Sequence, residues 1–374
     1  MDEGYCSKAA ERLKSNDRDD EFVVSRVLFL LTYNTTADFG ALVHQHALAE
    51  SINQHISRHS NETSTLSGTR RQDGSPMSGM AMVETLKLLF NITYQNTDLT
   101  ASFDPAIEPL IKLLMHHPLP YPPLQSPISS FINALLNLNL EATSECQAKP
   151  NSLFPTNDPS TVTNRLIAIL DQAVRHTPER DLETAAAPLC TFLRKIYELA
   201  PQEVQSTMRH RLIPSNQSRD KVLGRDDSLA SHLLRLITSP NVPSLRENIA
   251  ALLFELSDKD ADKFVQNVGY GYAAGFLHSK NIAIPQPQGG GGGGGEGNGV
   301  SDVGEDINPI TGQRLIAEQR DMPKEPEREM TEEEKEREAE RLFVLFERLK
   351  ATGVVDVKNP VEEARDQGRF EEVE

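Results

Sequence analysis

The groups in this 374-residue chain with the chemistry to ligate, attack or bind phosphate are ten histidines, three cysteines and one glycine-rich turn. His44, His46, His55 and His59 cluster, and the i,i+4 spacing of His55 and His59 puts both on one helix face. No cysteine or repeated carboxylate spacing accompanies them, so metal ligation is not expected. Cys6, Cys146 and Cys190 are odd in number, far apart and free of any C-x-x-C spacing. That excludes a disulfide scaffold or a zinc ribbon and fits a reducing compartment; each thiol is expected to be structural. The run Gly269-Tyr-Gly-Tyr-Ala-Ala-Gly275 approaches a dinucleotide-binding loop but has one residue too many. It also follows a helical segment, 261–268, where a strand is required, so a tight turn between helices is the better reading. There is no G-x-x-x-x-G-K-[ST], H-E-x-x-H or G-x-S-x-G. The expectation is a protein with no catalytic residues, no cofactor and no metal.

A different chemistry is offered by amides inside apolar runs. Asn91 and Asn137 occupy equivalent places in two leucine-rich segments, and Asn133 precedes Asn137 by one turn. A buried amide left unpaired costs roughly 1–3 kcal/mol. Such asparagines therefore bond either a neighbouring segment or the backbone of a guest polypeptide, and the sequence leaves both open.

The elements that must position these residues read as helices. Val83, Leu86, Leu89, Phe90 and Thr93 lie on one face, as do Leu166, Ile169, Leu170, Ala173 and Val174. Leu229, Leu233, Leu236 and Ile237 form a third such face, after the capping cluster Asp226-Asp227-Ser228 and before Pro240. No run of period-two alternation competes with them. The helices also resemble one another: Leu28–Tyr33 aligns with Leu89–Tyr94 at an offset of 61, and Leu135–Leu138 repeats the pattern 46 residues after Asn91. Offsets near 40–47, stretched by insertion loops, are those of armadillo and HEAT units, which stack because none buries its apolar face alone. The expected fold is all-α, an armadillo/HEAT-like helical-repeat solenoid. Ser57–Met80 and Gln147–Ser160 read as long surface loops.

Charge divides the chain further. The overall formal charge is −17, which argues against nucleic acid as a partner. Residues 296–374 hold 23 acidic and 12 basic side chains, a net of −11, whereas the preceding 295 residues carry only −6. Between them lie Pro285, Pro287 and the polyglycine Gly289–Gly295, a composition that favours a flexible tether. The expected boundaries are a solenoid over 1–284, a linker over 285–329, and an acidic helix and tail over 330–374. Thr331-Glu332-Glu333-Glu334 is a capping box, and Leu342, Phe343, Leu345, Phe346 and Leu349 then form an apolar stripe suited to docking. No segment is long and apolar enough for a membrane span, and the charged N-terminus is no secretory signal. A monomeric, soluble, cytoplasmic protein is expected.

Several segments together resemble the synembryn family: Arg26–Thr32, Glu84–Thr93, Gly269–Gly275, Ile307-Asn-Pro-Ile-Thr-Gly312 and Met330–Glu336. They occur in family order between about residue 1 and residue 358. The resemblance implies a guanine-nucleotide exchange factor and folding chaperone for heterotrimeric G-protein α subunits, GDP-bound or nucleotide-free, with localisation extending to the plasma-membrane periphery through the G protein. It implies a concave solenoid face that takes the α subunit's C-terminal helix, and a C-terminal arm that engages the nucleotide-binding domain. On that reading Asn91, Asn133 and Asn137 line the concave face, and Leu342, Phe343 and Phe346 make the arm's contacts. Two departures stand out. The family's first helical repeats are missing from this chain, and polyglycine replaces the acidic phosphorylatable linker, leaving Ser301 as a lone nearby candidate. The competing reading is an armadillo-type adaptor that binds peptides without acting on nucleotide.

Overall fold

The computed structural model describes residues 3–33, 37–66, 76–141, 151–283, 308, 312–315, 317, 337 and 341. Among the described residues there are 14 α-helices and no strand. The chain divides into two units, Met1–Gln319 and Arg320–Glu374. Of the second, only Arg337 and Arg341 are described, both helical and exposed. The arm residues Leu342, Phe343 and Phe346 lie outside the described residues, as do the capping box and Cys146.

In the first unit the helices pair. The pairs are α1 (Glu3–Leu13) with α2 (Arg18–Leu31), and α4 (Leu48–Leu66) with α5 (Pro76–Gln95). They continue with α6 (Ile107–His116) and α7 (Ile128–Asn137), then α8 (Thr161–His176) and α9 (Glu179–Leu199). The last is α11 (Leu229–Thr238) with α12 (Pro243–Leu256). The second members contact one another in sequence, α2 on α5, α5 on α7, α7 on α9 and α9 on α12, making one layer. The first members α4, α6, α8 and α11 do the same in a second layer. This is the helical-repeat stack expected from the spacing. The remaining helices fill the steps: α3 (Phe39–His46), α10 (Gln202–Leu212), α13 (Ala261–Val268) and α14 (Tyr270–Ser279).

The physical causes are local. Asp17, Asp38, Ser228 and Asp260 each accept a backbone N–H at the start of α2, α3, α11 and α13. Pro243 opens α12, where its missing N–H costs nothing. The apolar face of every pair closes on a leucine- and isoleucine-rich core in which Phe103, Phe131, Phe192 and Phe264 are fully buried. Removing one large side chain from such a core costs about 2–5 kcal/mol.

Three expectations change. Ser57–Met80 is largely helix: α4 runs on to Leu66 and α5 begins at Pro76. The polar residues that made this stretch look like a loop have partners. Arg18 pairs with Glu62 at 2.6 Å, and Thr63 Oγ1 donates to the His59 carbonyl at 2.9 Å. Gly269 does turn the chain between α13 and α14, at φ 87°, but Gly271 and Gly275 are then helical. Finally, residues 312–315, expected within the flexible linker, lie inside the first unit and pack beside Arg219. The Arg314 N–H donates to the Arg219 carbonyl at 2.8 Å, and Gln313 is buried.

Candidate functional site

The layer α2–α5–α7–α9–α12 is knitted by polar side chains that reach from one helix to the next. Thr32, at the end of α2, turns its hydroxyl back to the Phe29 carbonyl at 2.6 Å. Asn91 Nδ2 donates to that hydroxyl oxygen at 2.7 Å, and Gln95 Nε2 donates to the Thr32 carbonyl at 3.0 Å. One repeat on, Asn137 Nδ2 donates to the Phe90 carbonyl at 3.2 Å and to Thr93 Oγ1 at 3.4 Å. Next, Lys195 Nζ of α9 donates to the carbonyls of Leu136 and Leu138, at 3.2 and 2.6 Å, capping the end of α7. Burial lowers the pKa of this lysine. Arg194 pairs with Glu255 of α12 at 2.7 Å, and Thr191 Oγ1 donates to Asn248 Oδ1 at 2.9 Å. The same step is thus bridged four times by different chemistry.

These bonds place two of the three asparagines. Asn91 is 6% exposed and joins neighbouring helices, so its amide is a strut. Asn137 is half-buried, with its Nδ2 turned to the preceding repeat and its face still open to solvent. Asn133 is half-buried one turn earlier on the same helix.

Aromatic and basic residues project from this layer, beside the exposed aliphatic side chains Val23, Val27 and Leu30 of α2. Phe29 and Tyr33 meet edge to face at 5.3 Å between ring centroids, and their counterparts Phe90 and Tyr94 stack at 5.8 Å. Tyr33 is 51% exposed and Tyr94 69%. Lys87 lies 6.0 Å over the Phe29 ring, and Arg26 is exposed beside it. Exposed tyrosines backed by a second ring, with cations between, are the composition of an interface hot spot. The signal was present in the sequence: the offset of 61 that superposes Thr32 on Thr93 also superposes Phe29/Tyr33 on Phe90/Tyr94.

Behind this layer lies a buried ionic cluster. Glu21 is fully buried; its Oε1 accepts from Thr85 Oγ1 at 2.9 Å and lies 2.9 Å from His59 Nε2, while its Oε2 accepts from Arg58. His55, the other member of the i,i+4 pair, places Nε2 2.8 Å from the Leu13 carbonyl. Burial pushes the Glu21 carboxyl up, but the hydrogen bond and charge of His59, with His55 and Arg58 behind, hold it below the usual range. Burial lowers the pKa of His55 against the pull of Glu21. These histidines tie α1, α2 and α4 together; among the described residues no set of three or more His, Cys, Asp or Glu side chains can hold a metal ion. The Cys190 thiol is fully buried and pushed up to about 12, which makes it inert. No helix of the described residues is long and apolar enough to cross a membrane. The exposed aromatic and basic face has the composition of a recognition surface.

Residues 1–369 match the family model described as guanine nucleotide exchange factor synembryn. A synembryn-like chaperone of Schizosaccharomyces pombe is 35% identical over 164 residues, 42% of this chain and 30% of that protein. Chaperone Ric-8A of Rattus norvegicus is 27% identical over 194 residues, 50% of this chain and 34% of that protein. That of Mus musculus is 26% identical over 200 residues, 52% of this chain and 36% of that protein. The matched stretches therefore span about a third of the length of these relatives. With a family model matched along nearly its whole length, the chain belongs to the synembryn family of guanine nucleotide exchange factors.

Proposed function

We propose that this chain binds the α subunit of heterotrimeric G proteins, promotes guanine-nucleotide release from it, and chaperones the newly made subunit. The observation that carries the proposal is the row of exposed Arg26, Tyr33 and Tyr94 with half-buried Lys87 among them on one helix layer, in a chain whose family is named for nucleotide exchange. Exchange requires no covalent chemistry. A partner that binds the nucleotide-free subunit better than the nucleotide-bound one must weaken nucleotide affinity by that same preference, and exchange follows when the weakening is expressed as faster release. The C-terminal helix of the α subunit is the segment this face takes. Asn133 and Asn137 contact it beside the tyrosines, with Asn91 holding α5 against α2. The apolar stripe Leu342, Phe343 and Phe346 engages the same subunit from the C-terminal unit. Chaperoning uses the same preference on a subunit that has not yet acquired nucleotide. The protein acts as a cytoplasmic monomer and reaches the membrane periphery only through its partner.

The deciding experiment is release of labelled GDP from a purified α subunit with and without this protein. Acceleration that saturates with protein concentration supports the proposal. Tight binding of the α subunit with an unchanged release rate would identify an adaptor instead.

A further inference from the structure

After α14 the chain runs through the polyglycine sequence and then meets the first unit again as a strap, 312–315. The strap carries bonds of its own. The Asn308 N–H donates to the Gln313 carbonyl and the Gly312 N–H to the Asn308 carbonyl, both at 2.8 Å, so the two ends of one turn hold each other. Gly312 sits at φ 68°, with no room for a Cβ beside Leu223.

The strap docks on Arg219. This side chain is buried, and three carbonyls hold its charge. Two are at the end of α13, Gln266 and Asn267 at 2.8 Å each, and the third is that of Gly312 at 3.2 Å. In return the Arg219 carbonyl accepts the Arg314 N–H at 2.8 Å, and the Asp220 carbonyl accepts from Gln313 Nε2 at 3.3 Å. Each bond of this kind favours the docked strap roughly two- to tenfold, and more where the guanidinium charge takes part. Undocking is opposed further because it strips an acceptor from a buried cation.

A tether begins at the last fixed residue before it. Counted from Ala283, 46 residues (284–329) precede the acidic segment at Met330, with a reach of at most about 160 Å. Counted from Arg314 there are 15 (315–329), which reach at most about 50 Å. The polyglycine run falls outside the shorter count. It belongs to a loop whose ends, Ala283 and Asn308, are both in the first unit. Effective concentration at a site within reach falls roughly as the −3/2 power of tether length, so the threefold shortening raises it about fivefold.

We infer that Arg219 is a positioning residue for the C-terminal unit. By holding the strap it starts that unit's tether at Arg314, and the length of the polyglycine run has no bearing on the unit's reach. The inference goes beyond the proposed exchange activity, and its test uses neither nucleotide nor α subunit, so either can fail alone.

The test places a donor dye at exposed Asp262, near the start of α13, and an acceptor at the C-terminus of the full chain. About thirty Gly-Ser residues, which would restore the longer tether, are inserted either within Gly289–Gly295 or after Gln319. Energy transfer should be unchanged by the first insertion and should fall on the second. In Arg219→Met the polyglycine insertion should lower transfer too, a dependence that a merely structural role for Arg219 would not create. Arg314→Pro deletes the N–H donated to the Arg219 carbonyl, should behave in the same way, and serves if Arg219→Met does not fold. Equal loss of transfer on both insertions in the natural chain, or no loss on either, would overturn the inference. So would strap variants that remain indifferent to the polyglycine insertion.

Discussion

At the scale of single residues the most consequential group is Glu21, which the fold encloses completely and then surrounds with Arg58, His59 and Thr85. Its pKa is lowered in the folded state, so its stabilisation is present above the unfolded carboxylate value of about 4.3 and is lost as pH falls through the folded value. His55 is also lowered, by burial. The folded state therefore binds fewer protons than the unfolded one below about 6.5, and stability declines in that range as well. We predict a urea-unfolding free energy that falls in two stages on acidification, first below about pH 6.5 and again below about pH 4.3. Glu21→Gln should cost about 3 kcal/mol at neutral pH, the penalty of leaving the Arg58 guanidinium without its carboxylate, and should shrink the second stage, to which Asp226, Glu62 and Asp258 also contribute. A variant with an unaltered acid limb would show that the cluster does not govern acid stability. Asn91→Ala makes a contrasting case, because it removes a buried strut and leaves no charge behind. It should lower stability by about 1–2 kcal/mol without altering α-subunit affinity per folded molecule. At this scale the sequence exposed which amides and histidines were unusual but not their partners. Asn91 meets Thr32 59 positions away, and His59 meets Glu21 38 positions away. Periodicity within one segment carries no information about pairings that only the stack creates.

At the scale of elements, the helices with strong periodicity were legible to within a residue or two. The segments 261–268 and 229–238 follow from their caps and apolar spacing. The second half of α4 was not legible, because its polar side chains are satisfied partly by α2, through Arg18 to Glu62 and Glu21 to His59, and partly by its own backbone, through Thr63 to the His59 carbonyl. The strap 312–315 was hidden for a related reason. Arg219, 4% exposed and without a carboxylate partner among the described residues, donates to the carbonyls of Gly312, Gln266 and Asn267 at 3.2, 2.8 and 2.8 Å. Burial depresses the pKa of this arginine, with Arg314 adding repulsion, so its charge is held by carbonyl dipoles at the end of α13. Gly312 has φ 68°, and a Cβ there would collide with the Leu223 side chain. Gly312→Val should therefore destabilise the first unit by about 2–3 kcal/mol, through positive φ and the clash together. Arg219→Met should cost a similar amount by orphaning three carbonyls. Both are read from denaturant midpoints, and a double variant should lose less than the sum, because the two residues share one contact. Additive losses would mean the strap and Arg219 act separately.

At the scale of the whole molecule, exchange and chaperoning are proposed to draw on one preference for the nucleotide-free α subunit, and linkage makes that testable. If the protein weakens nucleotide affinity by some factor, saturating nucleotide must weaken the protein's affinity for the subunit by the same factor. Couplings of this kind are typically about 1–3 kcal/mol, or roughly 5–150-fold. We predict that affinities measured by titration with and without a non-hydrolysable GTP analogue will differ within that range. The factor should equal the one obtained from nucleotide affinity with and without the protein. Tyr33→Ala and Tyr94→Ala remove exposed rings and should leave stability within about 0.5 kcal/mol. If these rings are hot spots, each should weaken subunit binding about tenfold or more. Their effects on GDP release and on the yield of co-expressed, folded α subunit should then rank identically, since both readouts depend on one interface. Deletion of 330–351 should slow release if the apolar stripe there engages the subunit. A tyrosine variant that lost exchange while keeping full chaperone yield would separate the two activities onto different surfaces. A coupling factor of one in both titrations would mean the protein has no preference for the nucleotide-free subunit and would remove the basis of both activities.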